Sequence, residues 1–396
     1  MNKPLSPELF DDTETAYRYM SDEDLKRAHF VFRVVNHPWV SALATGGLKL
    51  AMKLRLPVMW IVRRTIFRQF CGGETIEQSE TTIDKLGNYQ VGTILDYSVE
   101  GENSETDFDA TCAAVLGTVD EAVKSPHVPF CVFKVTGLGD AGLLARVQAG
   151  HDLSANDEAA LERIRQRVDK ICSRAHEKGI PVLIDAEETW IQNPIDDLAL
   201  NMMARYNISR ALVFTTIQMY RTAGPGLLDR LMAEAESRGF YLGVKLVRGA
   251  YMEKERARAV KEGYPDPIQK DKQATDNAYN AGIRKCLAHI ARTSLVCGSH
   301  NEESTLLLAG LMADAGLDRG DQRIWFSQLL GMSDNISFNL AHAGYNVAKY
   351  VPYGPVRSVI PYLIRRAEEN TSVAGQSSRE LTNIRTERQR RRSASR

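Results

Sequence analysis

The feature that most restricts the fold is a rhythm beginning near residue 89. Short, nearly continuous apolar runs alternate with longer stretches that are polar on one face. The runs are Tyr89–Tyr97, Phe130–Thr136, Pro181–Ala186, Ala211–Thr216, Leu242–Val247, Leu295–Ser299, Ile324–Leu329 and Val347–Val351. A strand that is apolar along its whole length is covered on both faces, as in a parallel sheet packed by helices. The intervening stretches carry helix signals. Residues 152–177 have apolar residues at helical spacing and stop before Gly179; Pro194 opens the next helix, 271–291 forms a later one, and Pro355 begins the last. Eight βα units over roughly 280 residues fit a closed (βα)8 barrel. A doubly wound open sheet is the alternative, but no G-x-G-x-x-G follows the first run.

The ends of the chain lie outside this rhythm. The expected organisation is a mainly helical segment at 1–88, the barrel at 89–370, and a helical extension with a basic tail at 371–396. Fifty Lys and Arg balance fifty Asp and Glu, so nothing global calls for nucleic acid. The exception is the tail, where Arg385, Arg388, Arg390, Arg391, Arg392 and Arg396 face only Glu387. It is expected to be solvated and disordered, or to rest on anionic lipid, where each basic residue gains about 1 kcal/mol. The six cysteines form no C-x-x-C pair and have no metal-ligand spacing; they read as reduced, mostly buried thiols of an intracellular protein. The first residues have neither signal-peptide nor transit-peptide character. The apolar stretch Trp39–Val62 is interrupted by Lys49, Lys53 and Arg55, whereas a spanning helix needs about 20 mostly uncharged residues. A buried or interfacial helix is expected there.

Catalytic groups of such barrels sit at the C-terminal ends of the strands. Here those ends hold Lys134; Asp185 and Glu187; Gln218 and Tyr220; Lys245 followed by Arg248, Gly249 and Tyr251; Ser299, His300 and Asn301; Leu329; and Tyr350 with Tyr353. Each has a plain structural explanation: Asn301 as a helix N-cap, the lysines in structural ion pairs, His300 as a hydrogen-bonded core residue. Their convergence on one rim is what points to a site. The last helix, PYLIRRAEEN, places Tyr362, Arg365, Arg366 and Glu369 on one face. Two adjacent guanidiniums suit a carboxylate ligand, because each is a planar fork of donors; a solvated charged face is the other reading.

In this order, DAEETW, QMY, VKLVRGAY, GSHN, LLGM, YVPYGP and YLIRRAEEN closely resemble the proline dehydrogenases over residues 85–375, and the single-function, mitochondrial-type branch in particular. The resemblance implies a distorted (βα)8 barrel holding FAD. It implies oxidation of L-proline to Δ1-pyrroline-5-carboxylate, with electrons passed to a membrane quinone, and it implies no metal. By position, Arg365 and Arg366 would hold the substrate carboxylate. Lys134 and Asp185 would line the pocket, with Asp185 bonded to Tyr350. Leu329, Tyr350 and Tyr362 would enclose the ring, with Ala250 and Tyr251 nearby. Gln218, Val247, Gly249, Ser299, His300, Asn301 and Glu369 would contact the flavin. Lys245 would stand beside its reactive edge, where some relatives carry Arg, and Ser299 replaces a common Thr. The implied location is the cytoplasmic face of a membrane, or the mitochondrial inner membrane in a eukaryote, by peripheral contact. Three rivals remain: a hydroxyproline dehydrogenase, against which Tyr350 leaves little room for a ring hydroxyl; a Schiff-base aldolase using Lys134 or Lys245; and a non-catalytic barrel scaffold.

Overall fold

Eight parallel strands close a barrel in chain order: β1 (Val91–Tyr97), β2 (Phe130–Phe133), β3 (Val182–Ile184), β4 (Val213–Gln218), β5 (Leu242–Val247), β6 (Thr293–Gly298), β7 (Ile324–Leu329) and β8 (Val347–Tyr353). This computed structural model describes residues 5–35, 46–47, 58–99, 103–372 and 376–394, apart from the side chains of 367–378. β1 pairs with both β2 and β8, so the sheet has no edge left to template association. The fold is the (βα)8 barrel that the rhythm predicts.

Local chemistry sets the helices between the strands. Ser154 and Asp157 form a reciprocal capping box at the start of Ala155–Lys178, and Gly179, at φ 68°, ends that helix. Asp271 caps Lys272–Ala288 through its side chain. The last barrel helix differs from expectation. It opens at Ile360 rather than Pro355, because Pro355 instead accepts from the N–H of Ser358 and starts a turn. β8 runs through Tyr353, further than its apolar run suggests. The N–H of Gly72 bonds the Pro352 carbonyl, and Gly73 bridges Tyr353 in parallel.

Strand alternation separates two cores. Leu242, Val244 and Leu246 face outward into the large layer between strands and helices. Ile94, Val132, Leu183, Val296 and Ala348 fill the barrel interior. Two residues further along the same inward faces come Asp96, Lys134, Asp185 and Tyr350. The interior is therefore apolar at the bottom and polar at the rim.

A third core lies outside the barrel. Helix Asp22–Val35 contributes Leu25 and Phe32, and the C-terminal helix Gln376–Ala394 contributes Leu381 and Ile384. Both pack with Phe70, Met332, Tyr362 and Leu363. The basic tail is helical through Ala394 rather than disordered, although Arg385, Arg390 and Arg392 are exposed. Arg391 bonds Glu387, the Tyr17 carbonyl and Asp22; Arg390 holds Glu387 and Glu14. Glu387 is fully buried, and a buried carboxylate requires such partners. All six cysteines are buried and unpaired as disulfides. Of the stretch 39–62, most lies outside the described residues; Met59–Val62 is a short helix. No helix among the described residues is long and apolar enough to cross a membrane.

Candidate active site

The inward-facing polar layer assembles around Asp185, the residue that follows β3. Its Oδ1 accepts from the Lys245 ammonium and from Thr216 at 3.4 Å; its Oδ2 accepts from the Tyr350 phenol at 2.8 Å. Thr216 and Lys245 are register partners on β4 and β5, which is why both reach the same oxygen. Asp185, Lys245 and Tyr350 are each less than a tenth exposed. Burial raises the Asp185 carboxyl, but the charges of Lys245 and Lys134 outweigh it and hold the group below its ordinary value. Tyr350 moves the other way: burial and the Asp185 charge push its phenol well up. The pair is therefore a fixed carboxylate and a fixed hydroxyl donor.

Both rim lysines are in ion pairs, one of the readings open from sequence. The Lys245 ammonium holds Asp185 and lies 5.3 Å from the centre of the Tyr350 ring. Lys134 bonds Asp96 on β1 at 3.3 Å and Tyr350 Oη at 3.5 Å. Asp96 was missed, although it is the sole acid in an otherwise apolar first strand. Two ammoniums and two carboxylates thus interleave, a closed arrangement in which each buried charge has a partner.

The helix Ile360–Ser372 lies beside this layer. It buries Tyr362, Leu363 and Arg366 and leaves Arg365 half-buried. A solvated charged face is excluded for Arg366, whose guanidinium stacks 5.1 Å from the Tyr362 ring centre. Leu329, at the end of β7, packs against both the cluster holding Tyr362 and the one holding Tyr350, so it links the two. The side chain of Glu369 lies outside the described residues.

The remaining candidates gather at the ends of β4, β5 and β6. Gln218 is buried, and its Oε1 has no hydrogen-bond donor among the described residues. Val247 closes β5. Gly249 has φ 137°, and a Cβ there would lie 2.3 Å from the Tyr220 ring; its absence of a side chain has an internal cause. Ala250 and Tyr251 continue that loop to the helix Met252–Glu262. Ser299 accepts from Arg248 at 2.7 Å and from the Asn301 N–H at 3.1 Å. Asn301 is the N-cap of Glu302–Asp314, accepting from Ser304 N–H at 2.8 Å. His300 Nδ1 lies 2.9 Å from Ser333 Oγ. Burial and the charges of Lys349, Arg366 and Arg248 hold His300 down to about 3, so it is a neutral imidazole at physiological pH.

Behind His300 is a network that motif reading did not find. Ser333 is a non-glycine residue at φ 51°, and its N–H donates to Glu380 of the C-terminal helix. The next residue, Asp334, pairs with Lys349 at 2.8 Å and accepts from Tyr19 at 2.7 Å. Lys349 in β8 is completely buried. A lysine inside an apolar strand is a legible signal; its partner, in another loop, is not.

Residues 79–379 match the family described as proline dehydrogenase. Proline dehydrogenase 1, mitochondrial, of Dictyostelium discoideum is 31% identical over 412 residues, 93% of this chain and 72% of that protein. Hydroxyproline dehydrogenase of Xenopus laevis is 32% identical over 412 residues, 95% of this chain and 88% of that one. Among solved structures, proline utilization A (PutA) from Bdellovibrio bacteriovorus, inactivated by N-propargylglycine, superposes with a TM-score of 0.70 at 19% identity. It covers 93% of this chain, which spans only 37% of that one.

Proposed function

This chain belongs to the proline dehydrogenase family, and from that premise we propose that it oxidises L-proline to Δ1-pyrroline-5-carboxylate with FAD, passing electrons on to a membrane quinone. The observation that carries the reading is the buried Asp185–Tyr350–Lys245 cluster at the barrel rim, joined through Leu329 to the cluster of Tyr362, over whose ring the buried Arg366 lies. In this reading Arg365 and Arg366 hold the substrate carboxylate through charge-assisted hydrogen bonds. Leu329, Tyr350 and Tyr362 enclose the apolar ring, Ala250 and Tyr251 flank it, and Asp185 and Lys134 fix the Tyr350 hydroxyl.

The ends of β4 to β6 fit a large polar cofactor. The buried Gln218 Oε1 is left without a donor, a cost of roughly 1–3 kcal/mol that a bound donor would offset. Val247, Gly249, Ser299, His300 and Asn301 lie on the same side, and Lys245 borders it from β5. Glu369 belongs to the same assignment. FAD, when bound, supplies the hydride acceptor. The protein orients the two reactants. Asp185 is a poor base, since its carboxylate is stabilised by three donors, and the substrate amine gives its proton to solvent.

The proposal includes a helical segment at 1–88, a catalytic barrel at 89–370 and an extension at 371–396. It also includes peripheral contact with the inner face of a membrane and no nucleic-acid partner. Hydroxyproline oxidation is the second reading, favoured by the Xenopus relative. Against it, the Tyr350 hydroxyl is already committed to Asp185 at 2.8 Å. The test is a visible spectrum of the purified protein. It should show bound flavin that bleaches on anaerobic addition of proline, faster than with hydroxyproline. A colourless protein that gains no activity with added FAD would sink the proposal, and trapping of a lysine by borohydride would favour the aldolase.

A further inference from the structure

Helix Gln376–Ala394 carries two kinds of arginine. Arg390 and Arg391 are bound by Glu387, Glu14 and Asp22. Arg385, Arg388 and Arg392, at i, i+3 and i+7, lie on another face and have no ion pair among the described residues. Arg385 and Arg392 are exposed and Arg388 is half-buried. With Gln389 they line one cleft of about 280 Å³, whose opposite wall is His29 of helix Asp22–Val35.

Three guanidiniums lining one concavity repel one another. His29 reports the same field: burial, then Arg388, Arg385 and Arg33, hold its imidazole below the ordinary value. The helix C-terminus favours cations nearby, which accounts for basic residues in the last turn. It does not account for their convergence with a residue from a second helix. The neighbouring sequence supplies no counter-charge either, since residues 25–73 contain no aspartate or glutamate and neither do residues 388–396.

We propose that this cleft binds a phosphate group, borne either by a soluble phosphorylated molecule or by an anionic phospholipid. Arginine forks match phosphate oxygens in bidentate geometry, and Gln389 adds an amide donor. The volume lies at the lower edge of small-molecule pockets, about 300–1,000 Å³. It accommodates the phosphate and only part of whatever carries it. The site is remote in function from the rim cluster and does not depend on the substrate assigned above.

Full-length protein is titrated with inorganic phosphate by calorimetry, against sodium chloride at matched ionic strength. In parallel it is floated with phosphatidylcholine vesicles with and without phosphatidylglycerol. Saturable heat with phosphate identifies a soluble source; flotation only with phosphatidylglycerol identifies a lipid source. In either case Arg388→Glu should weaken binding by on the order of tenfold or more, and Arg385→Gln with Arg392→Gln should do the same without reversing charge. Lys261→Glu, on an unrelated helix, should change nothing. Proline oxidation should stay at the wild-type level in every variant, reporting an intact fold. Absence of both signals, or arginine variants that bind as well as wild type, would overturn the proposal.

Discussion

Replacing Asp185 by asparagine removes one charge and almost no volume, so its effect isolates the electrostatics of the rim. In the wild type the carboxylate holds the ammonium of Lys245, which is 5% exposed, and accepts from Tyr350 at 2.8 Å. Asparagine keeps a hydrogen-bond acceptor for Tyr350 but leaves Lys245 as a buried cation without its counter-ion. Breaking a buried pair from one side costs about 3–5 kcal/mol. Weakening the Tyr350 bond from charged to neutral accounts for about 1 kcal/mol within that figure. A domain with a total stability of about 5–15 kcal/mol would feel this strongly. The assay is urea unfolding followed by far-UV circular dichroism at pH 7, with the slope checked against wild type. Asp185→Asn with Lys245→Met should recover much of the loss, because the stranded ammonium is gone. The pH dependence has a definite sign. Because Lys245 and Lys134 depress the folded-state value against burial, the contribution of Asp185 is complete above the unfolded value of about 3.9 and lost as pH falls through the folded one. The gap between wild type and Asp185→Asn should therefore be level from pH 5 to 7 and close in acid. A single variant within about 1 kcal/mol of wild type, or a double variant no better than the sum of its parts, would refute the reasoning.

Arg365→Met and Arg366→Met should each raise the Michaelis constant for proline by about 10- to 150-fold at unchanged fold, the worth of one charge-assisted bond to a carboxylate; steady-state kinetics showing an unchanged constant in both would remove the pair from substrate binding. Glu380 is raised to about 7 by burial and then by the charge of Asp334, so wild-type stability should decline as pH rises from about 4.3 through 7. Glu380→Gln should lack that decline and melt higher than wild type at pH 8, whereas parallel melting profiles for the two proteins would contradict it. Gly249→Ala forces a side chain onto φ 137° and a Cβ to 2.3 Å from the Tyr220 ring; it should destabilise by more than about 1 kcal/mol, and an unaltered melting temperature would show that the loop yields freely.

The barrel and the polar layer at its C-terminal rim were legible in the sequence because their causes are local. Apolar runs of strand length, capping serines and aspartates, and Gly179 as a helix stop act over a few residues. Alternation with a period of two then places Lys134, Asp185 and Tyr350 on inward faces above Val132, Leu183 and Ala348. Which charge meets which was decided only by closure. Lys245 reaches Asp185 from β5, and Lys134 reaches Asp96 on β1, because strand tilt and register in a closed barrel set those distances. The same holds for the C-terminal helix. Its composition reads as a solvated tail, yet Arg391 is fixed by Asp22, 369 residues away, and Glu380 reaches Ser333, 47 residues away. Such partners come from segments distant in sequence, and a chain's local pattern carries no record of the contacts that folding brings about; only the packed structure determines which of its buried charges are satisfied, and by whom.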